Sequence, residues 1–144
     1  MTGVGYSIAL TSWAASAVAL QTVRRLVFIE EQGIAEHEEW DDFDAVSVHA
    51  LAQSTESAIG TARLLPDGHI GRMAVLKHWR GRGVGSALLQ SLINVARSRG
   101  ECAVVLNAQS RAIRFYEYHG FIAHGDEFLD AGIPHRRMRL SLSR

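Results

Sequence analysis

A glycine-rich turn between a predicted strand and a predicted helix constrains this chain more than any other feature. The turn contains Arg80, Gly81, Arg82, Gly83, Val84, Gly85 and Ser86. It follows a strand-like run, Ile70 to Leu76, and opens a helix-like run, Val84 to Arg99. Glycine lets the backbone approach an anion closely, and the first N–H groups of a helix have no partners within it. Because two arginines add positive charge, we predict a phosphate-binding turn at Arg80 to Ser86.

Two familiar phosphate-binding motifs differ from this turn in their spacing. A P-loop has Lys followed by Ser or Thr after its last glycine, whereas Ser86 and Ala87 follow Gly85 here. A dinucleotide fingerprint that began at Gly81 needs glycine or alanine at position 86, which is serine. Neither motif therefore explains the turn.

Charge, length and cysteine content limit the classes of partner. The 144 residues carry 15 basic and 15 acidic side chains, so no global charge favours nucleic acid or a membrane. This length predicts a single domain, residues 1–144. The single cysteine, Cys102, cannot form an intrachain disulfide, which predicts a reducing, cytoplasmic location. The apolar stretch Tyr6 to Leu20 has no Lys or Arg before Arg24 and contains Ser and Thr, so it resembles neither a signal peptide nor a membrane span.

The apolar periodicity predicts an α/β (α+β) domain in which strands outnumber helices. Strands are predicted at Tyr6 to Leu10, Val46 to Gln53, Ala58 to Leu65, Ile70 to Leu76, Ala103 to Leu106, Phe121 to His124 and His135 to Leu142. Helices are predicted from Thr11 or Ser12 to Gly33, from Val84 to Arg99 and from Arg111 to His119. This order favours a mixed sheet with helices on its faces.

An acidic segment, Glu36 to Asp44, has two interpretations that the sequence leaves open. Its acidic side chains are Glu36, Glu38, Glu39, Asp41, Asp42 and Asp44, and Trp40 and Phe43 lie among them. The segment is either a solvated loop anchored by two aromatic residues or the binding site of a cationic substrate.

Two motifs occur together on successive α/β units. The first is Arg80, Gly83 and Gly85, directly after a strand. The second is a helix with Ala112, Phe115, Tyr116, Glu117, Gly120 and Phe121. Together they resemble the GNAT superfamily of acyl-CoA-dependent N-acetyltransferases, over nearly the whole chain. A small bacterial subgroup of predicted acetyltransferases is similar also at Val27 to Gln32, Arg63 to Pro66, Arg72 to Val75 and Gly132 to His135.

This resemblance implies that the anion is the pyrophosphate of coenzyme A and that acetyl-CoA is the acyl donor. The backbone N–H groups of Arg82, Gly83, Val84, Gly85 and Ser86 would bind the pyrophosphate, with Gly81 in the same turn. The Arg80 and Arg82 side chains would add charge-assisted contacts. The family fold implies a mostly antiparallel sheet of about six or seven strands, splayed between the strands before and after the turn and its helix.

The splay of the sheet would hold the pantetheine arm of the cofactor. By the resemblance, the arm would bind the backbones of Met73, Ala74 and Val75, and an N–H of Ala74 or Val75 would stabilise the oxyanion. Gln109, Ala112, Phe115 and Tyr116 would complete the cofactor site. Many relatives have Asn where this chain has Gln109, whose longer side chain can still reach the arm.

Acetyl transfer to an amine needs a proton donor for the leaving thiolate. Tyr116 is the residue that matches the family motif, although an aromatic side chain on a helix can also serve packing alone. A phenol of pKa about 10 loses a proton to a thiolate whose acid has a pKa near 8.5 at a cost of about 2 kcal/mol, unless the site lowers its pKa.

The base that accepts the proton of the amine is not decided by any spacing. The candidates are Glu31, Asp44, His49 and His135, and we place Glu31 and His49 with Tyr116 among the predicted catalytic residues. His49 lies within a predicted strand, where a buried structural histidine is an equal alternative. The seven histidines show no metal-ligand spacing, so no metal is expected.

Two other functions compete with N-acetyl transfer. Residues Arg24, Arg25, Phe28, Asp41, Asp44 and Arg63 resemble the N-terminal half of acyl-homoserine lactone synthases, where these positions serve the amine substrate and hold that region together. This chain is shorter than those enzymes, and its intact turn favours a free acyl-CoA donor. A non-catalytic acyl-CoA-binding module is the third reading. The expected partners are acetyl-CoA and an amine-bearing acceptor, without nucleic acid or membrane, and a homodimer through the C-terminal strands fits the fold.

Overall fold

The computed structural model describes residues 5–142, so the predicted domain bounds, residues 1–144, extend beyond the described residues at both ends. The strands are β1 (Tyr6–Thr11), β2 (Val48–Ser54), β3 (Ala58–Leu64), β4 (Ile70–Val75), β5 (Ala103–Gln109), β6 (Ile122–Asp130) and β7 (Ile133–Ser141). The α-helices are α1 (Trp13–Arg24), α2 (Glu36–Glu39), α3 (Val84–Ser98) and α4 (Ile113–Tyr118), and a π-helical turn (Arg25–Glu31) continues α1.

The seven strands form two antiparallel sheets that meet between β4 and β5. One sheet has the order β1-β2-β3-β4 and the other β5-β7-β6. Within the described residues, a single isolated parallel bridge, His69 to Val105, links them. The predicted mixed fold, its helices and its splay are confirmed, and the strands divide four to three between the two sheets.

Strand β3 is buried along most of its length because helices cover both of its faces. Gly60 lies under the start of α3: a Cβ there would come within 3.1 Å of side-chain atoms of both Val84 and Leu88. On the opposite face, Arg63 reaches Asp44 beneath α1. The absence of a side chain at Gly60 thus lets α3, and the turn that precedes it, pack closely on the sheet.

The C-terminal strands are longer than predicted. The segment 125–134, which lies between the two predicted strands, belongs mostly to a hairpin, in which β6 runs to Asp130 and β7 starts at Ile133. Two residues join the strands, Ala131 with φ of 52° and Gly132 with φ of 75°. Two successive positive φ values match the turn type that best suits the twist of a two-residue hairpin. Gly132 therefore shapes the hairpin turn, and beside Gly125 the pairing of β6 with β7 shifts register between His124 and Phe128.

Among residues 5–142, no helix combines the length and apolar character that crossing a membrane requires.

Candidate active site

The glycine-rich turn, Arg80 to Ser86, leads directly into α3. Gly83 takes the position before the helix with φ of 85°, where no side chain of the described residues caps the first N–H groups. An L-residue enters this left-handed region only at a cost of about 1–2 kcal/mol. Neighbouring aromatic residues support the turn: the Arg82 guanidinium lies 4.7 Å from the ring centre of Trp79, and Tyr6 Oη donates to the Arg82 carbonyl at 3.4 Å. The turn is thus held in place by contacts that leave the helix N-terminus uncapped.

Arg80 directs its guanidinium towards Glu31. Its two terminal nitrogens donate to the two carboxylate oxygens of Glu31, both at 2.7 Å, and its Nε donates to the Val75 carbonyl at 2.9 Å. The hydrogen bonds from Arg80 lower the pKa of Glu31, which makes this carboxylate a weak base near neutral pH. Glu31 also does not line the cavity that Met73, Ala74 and Val75 of β4 help to form. The geometry therefore does not support Glu31 as the base. The Glu31 carboxylate also neutralises the positive charge that Arg80 was predicted to offer to the cofactor.

A central cavity of about 890 Å³ opens where β4 and β5 diverge. Its lining includes Met73 to Val75 from β4, Gln109 from the end of β5 and Tyr116 from α4. Beyond His69, β4 has no hydrogen-bonded strand on its β5 side among the described residues. A strand edge of this kind offers backbone N–H and C=O groups to an extended ligand.

The second motif packs against the start of α3. Phe115 Cζ lies 3.4 Å from the position that a Cβ on Gly85 would take, and Val75 Cγ2 lies 3.9 Å from the same position. Ala112 ends a short 3-10 turn immediately before α4. Neither Ala112 nor Phe115 lines the cavity. Phe115 of α4 therefore packs at Gly85, beside Val75 at the end of β4, and brings these three elements together.

Strand β4 departs from regular pairing within the cavity wall. Arg72 has φ of 50°, and the pairing with β3 shifts register between Thr61 and Arg63. A non-glycine residue in this conformation costs about 1–3 kcal/mol, which surrounding contacts must offset. The Arg72 guanidinium supplies such contacts, since it donates to the Glu39 carbonyl at 3.0 Å and to Asp41 Oδ2 at 3.2 Å.

Tyr116 lines the cavity with its hydroxyl directed at β4. Its Oη donates to Met73 Sδ at 3.8 Å, and its ring makes edge contacts with Phe115 and Phe121. Burial raises the pKa of Tyr116 to about 12. A lowered phenol pKa would favour proton donation, but this environment does the opposite. Tyr116 stays protonated at neutral pH, and donating its proton costs more than the reference pKa values imply.

The acidic segment takes part in a largely buried charge network with arginines from other elements. Its members are three arginines and three carboxylates: Arg24, Arg63, Arg72, Glu39, Asp41 and Asp44. Arg24 is 1% exposed and contacts Glu39 at 2.8 Å and Asp44 at 2.6 Å. Arg63 contacts Asp41 at 2.7 Å and Asp44 at 2.9 Å. The positive and negative charges of this network are equal in number.

The charge network differs from both interpretations of the acidic segment. Glu39 and Asp44 are buried, so the segment is not simply a solvated loop. Their carboxylates are already paired with arginines, so they do not offer free negative charge to a cationic substrate. Asp44 is for the same reason unavailable as a base, and it does not line the cavity.

His49 lies outside the central cavity. The residue is fully buried, and its Nε2–H donates to the Asp44 carbonyl at 2.9 Å. Burial lowers the pKa of His49 below its usual value, so the neutral ring is favoured. Since His49 does not line the cavity, the geometry favours the structural alternative over the predicted catalytic role.

His135 lies in the cavity lining at the start of β7. It is 8% exposed, and its Nδ1 lies 2.6 Å from the Ile133 carbonyl. Its ring stacks on Phe128 of β6, with ring centres 5.9 Å apart. Among the four candidate bases, His135 is the one that the structure places on the cavity.

Three further side chains at the site were not identified from the sequence. Gln32 and Arg111 line the cavity and bracket Gln109: Gln109 Nε2 donates to Gln32 Oε1 at 2.9 Å, and Arg111 Nε donates to Gln109 Oε1 at 3.0 Å. His119 Nε2 is hydrogen-bonded to Ser86 Oγ in the glycine-rich turn, at 2.9 Å. His119 lies within the second motif, and Gln32 ends the segment Val27 to Gln32 that resembles the bacterial subgroup, whereas no motif includes Arg111.

Across the part of the chain that the structure describes, no three or more His, Cys, Asp and Glu side chains are grouped as a metal ion would require.

Comparison with known proteins decides the family. Residues 26–142 match the family model described as an acetyltransferase (GNAT) domain. The chain belongs to the GNAT acetyltransferase family. The resemblance of its two motifs to this family is thereby confirmed, and membership supports acyl transfer as the class of reaction.

Relatives and solved structures of GNAT proteins cover most of the chain. The uncharacterized N-acetyltransferase YjcF of Bacillus subtilis is 38% identical over 120 residues, which are 81% of this chain and 86% of the relative. The crystal structure of a putative N-acetyltransferase from Lactobacillus plantarum superposes with a TM-score of 0.86 at 29% identity, covering 96% of this chain and 99% of that one.

The GNAT fold also extends to a CoA-dependent acyl-homoserine lactone synthase, BjaI. Its structure superposes with a TM-score of 0.77 at 17% identity, covering 97% of this chain and 85% of that one. At this identity the likeness shows a shared fold, and it does not transfer the lactone-forming reaction to this chain.

Proposed function

We propose that this protein transfers an acetyl group from acetyl-CoA to the amine of a small molecule or peptide. The observation that carries the proposal is the free edge of β4 in a cavity that the two GNAT motifs flank. Met73 to Val75 supply this edge, and Tyr116 lies across from it with its hydroxyl 3.8 Å from Met73 Sδ. An extended pantetheine arm fits such an edge through backbone hydrogen bonds.

The phosphate-binding turn would hold the other end of the cofactor. The uncapped N–H groups at Gly83 to Ser86 attract an anion through the helix dipole, which suits the pyrophosphate of coenzyme A. Arg82 lies over Trp79 at the turn and adds positive charge there. Arg80 contributes differently, because its pair with Glu31 and its bond to Val75 brace the end of β4.

In the proposed reaction the neutral amine attacks the thioester carbonyl directly. A backbone N–H at Ala74 or Val75 would stabilise the oxyanion as it forms. Tyr116 would protonate the thiolate that leaves. With its pKa at about 12 and that of a thiol near 8.5, this transfer is uphill by about 5 kcal/mol in the empty cavity. A turnover of about 10 per second corresponds to an overall barrier of about 16 kcal/mol. The free energy of this proton transfer is well below that barrier.

A thermal-shift titration tests the cofactor. Acetyl-CoA and free CoA should each raise the melting temperature in a concentration-dependent way, since a ligand that binds only the folded state stabilises it. NAD, which also carries a pyrophosphate, should give a much smaller shift. If neither CoA species stabilises the protein, the proposed donor is wrong.

Thiol release from acetyl-CoA tests the transfer itself. The acceptor panel should contain polyamines, amino acids, amino sugars, peptides and S-adenosylmethionine, the last to detect lactone-synthase chemistry. Release of thiol with an amine, together with an acetylated product by mass spectrometry, is expected. Protein that binds acetyl-CoA but releases no thiol above the acceptor-free rate would instead be a non-catalytic acyl-CoA-binding module. The cytoplasmic location and the homodimer remain predictions.

A further inference from the structure

We infer that His135 is the general base of this site, accepting the proton of the attacking amine at Nε2. This inference rests on the proposed acetyl transfer and adds the residue that the sequence left undecided. Its basis is the position of the ring, the hydrogen bond that fixes its tautomer and the contacts that fix its orientation.

The hydrogen bond at Nδ1 determines which nitrogen is free. The Ile133 carbonyl can only accept, so the 2.6 Å contact requires that Nδ1 carries the hydrogen. In the neutral ring Nε2 then bears the lone pair. None of the described residues donates a hydrogen bond to Nε2 or forms an ion pair with the ring. His135 therefore presents a proton-accepting nitrogen that the protein itself does not occupy.

The strand register places His135 on the same face of the sheet as Gln109, which also lines the cavity. His135 pairs with Gln109 across β5 and β7, and directly opposed residues project from the same face of a sheet. Gln109 bonds Gln32 at the end of the π-helical turn, so this face is the one covered by the first helix. The opposite face carries the core residues Leu106 and Met138, which pair with each other in the same register.

The ring is also held against rotation. Phe128 stacks on it from β6 with an angle of 26° between the ring planes, directly opposite in the hairpin register. Besides Tyr116 and His135 itself, the charged and titratable side chains that line the same cavity are Glu38, Glu39, Arg63, His69, Arg72, Arg80, Arg111 and Asp130. The Arg137 guanidinium of β7 lies 5.8 Å from the Phe128 ring centre. A base needs this combination of fixed geometry and an open lone pair.

The proton balance of the step is complete with Tyr116 as its partner. The amine nitrogen bonds to the carbonyl carbon, and the carbon–sulfur bond breaks. The excess proton on nitrogen passes to His135 Nε2, directly or through one water, while Tyr116 gives its proton to the thiolate. Exchange of a proton from the imidazolium to the phenolate through solvent restores both residues.

The tautomer can be tested without any acceptor. Long-range proton–nitrogen NMR correlations of the neutral His135 ring should show hydrogen on Nδ1 and a bare Nε2, in the free protein and with CoA bound. Hydrogen on Nε2 in both states would overturn the inference.

The kinetic test uses the best amine of the thiol-release panel. His135→Gln should lower kcat by about 10²-fold or more while the Kd of acetyl-CoA stays unchanged. In the acid range, the slope of log kcat/KM against pH should fall from about two to about one, because only the amine must then lose a proton. His135→Ala should regain part of its rate with added imidazole, which a purely structural role would not allow.

His124→Gln is the matched control, because His124 is an exposed histidine on the same hairpin. Its kcat and pH slope should equal those of the wild type. If His135→Gln keeps the wild-type kcat and the wild-type slope of log kcat/KM against pH, His135 is not the general base. The activity of that variant would still support the proposed acetyl transfer. Failure of acetyl transfer itself appears differently, as wild-type protein that neither binds acetyl-CoA nor releases thiol.

Discussion

The acidic segment and the glycine-rich turn are both polar stretches, yet their polar groups are satisfied differently in the fold. In the acidic segment, Glu39 and Asp44 are buried and paired with arginines from other elements. In the turn, the N–H groups that follow Gly83 have no side-chain cap among the described residues. In the first region the charges are paired within the protein, whereas in the second the backbone donors have no side-chain partner among the described residues.

This contrast shows that the number of charges in a stretch is a poor guide to binding. Buried carboxylates need partners because an unpaired charge is expensive to bury, so a dense acidic run near buried arginines is used for structure. Backbone donors at a glycine-bounded helix start carry less formal charge, but the chain geometry cannot satisfy them internally.

Removing Arg24 should have the largest effect, on stability. Arg24→Met leaves Glu39 and Asp44 buried without one of their partners, which typically costs about 3–5 kcal/mol. Urea denaturation should show this loss in the free energy of unfolding. Arg25→Met is the control, because Arg25 pairs with Glu36 at the surface, and its denaturation midpoint should stay close to that of the wild type. Equal losses in the two variants would refute a structural network.

Tyr116→Phe should act on catalysis with little change in stability. Loss of the proton donor should lower kcat by about 10²-fold, with the Kd of acetyl-CoA nearly unchanged. Tyr118→Phe is the matched control, since Tyr118 lies on the same helix and is 86% exposed. Wild-type turnover in Tyr116→Phe would assign this residue to packing alone.

Gly83→Ala should separate strain from binding at the turn. Alanine at φ of 85° should cost about 1–2 kcal/mol of stability, and distortion of the helix start should raise the Kd of acetyl-CoA about tenfold. Gly100→Ala introduces the same strain just beyond the other end of α3, at φ of 79° with no atom within 4 Å of the new Cβ. Isothermal titration calorimetry should find its Kd unchanged; a tenfold rise in both variants would mean that the strain acts through general stability.

The smallest expected effect is the pH dependence contributed by His49. Because burial lowers its pKa in the folded state, the unfolded chain binds the proton more readily. Its contribution to stability is therefore complete above the unfolded pKa of about 6.5 and is lost as pH falls below that value. His49→Asn should flatten this part of the stability profile in urea titrations at several pH values. An unchanged profile would show that other groups carry the acid dependence.

Most of the fold was predictable because local patterns agree with it. Ser12 caps α1 as predicted, through a 3.2 Å bond from the Ala15 N–H, and the splay between β4 and β5 followed from the family resemblance. The hairpin of β6 and β7 was underestimated, because glycine alone does not tell a loop from a bulged strand. In the acidic segment, partners more than 15 residues away decided the outcome, and no local pattern contains them.

The candidate site was predictable where motifs fix both residue type and spacing. Met73 to Val75, Gln109 and Tyr116 were placed on one cavity as expected. The positions of the candidate bases were not predictable, since His49 and His135 look alike in the sequence. His49 is buried away from the cavity, and its Nε2 is bonded to the Asp44 carbonyl. His135 lines the cavity, and its hydrogen bond to the Ile133 carbonyl uses Nδ1 and leaves Nε2 free.

The most direct test of the central claim is the amide spectrum of labelled protein during titration with acetyl-CoA. The largest chemical-shift changes should fall on the backbone N–H groups of Arg82 to Ser86, with further changes along Met73 to Val75. The amides of the acidic segment should move little, because its charges are already paired within the protein. Shifts concentrated in the acidic segment, or none at the turn, would contradict the account.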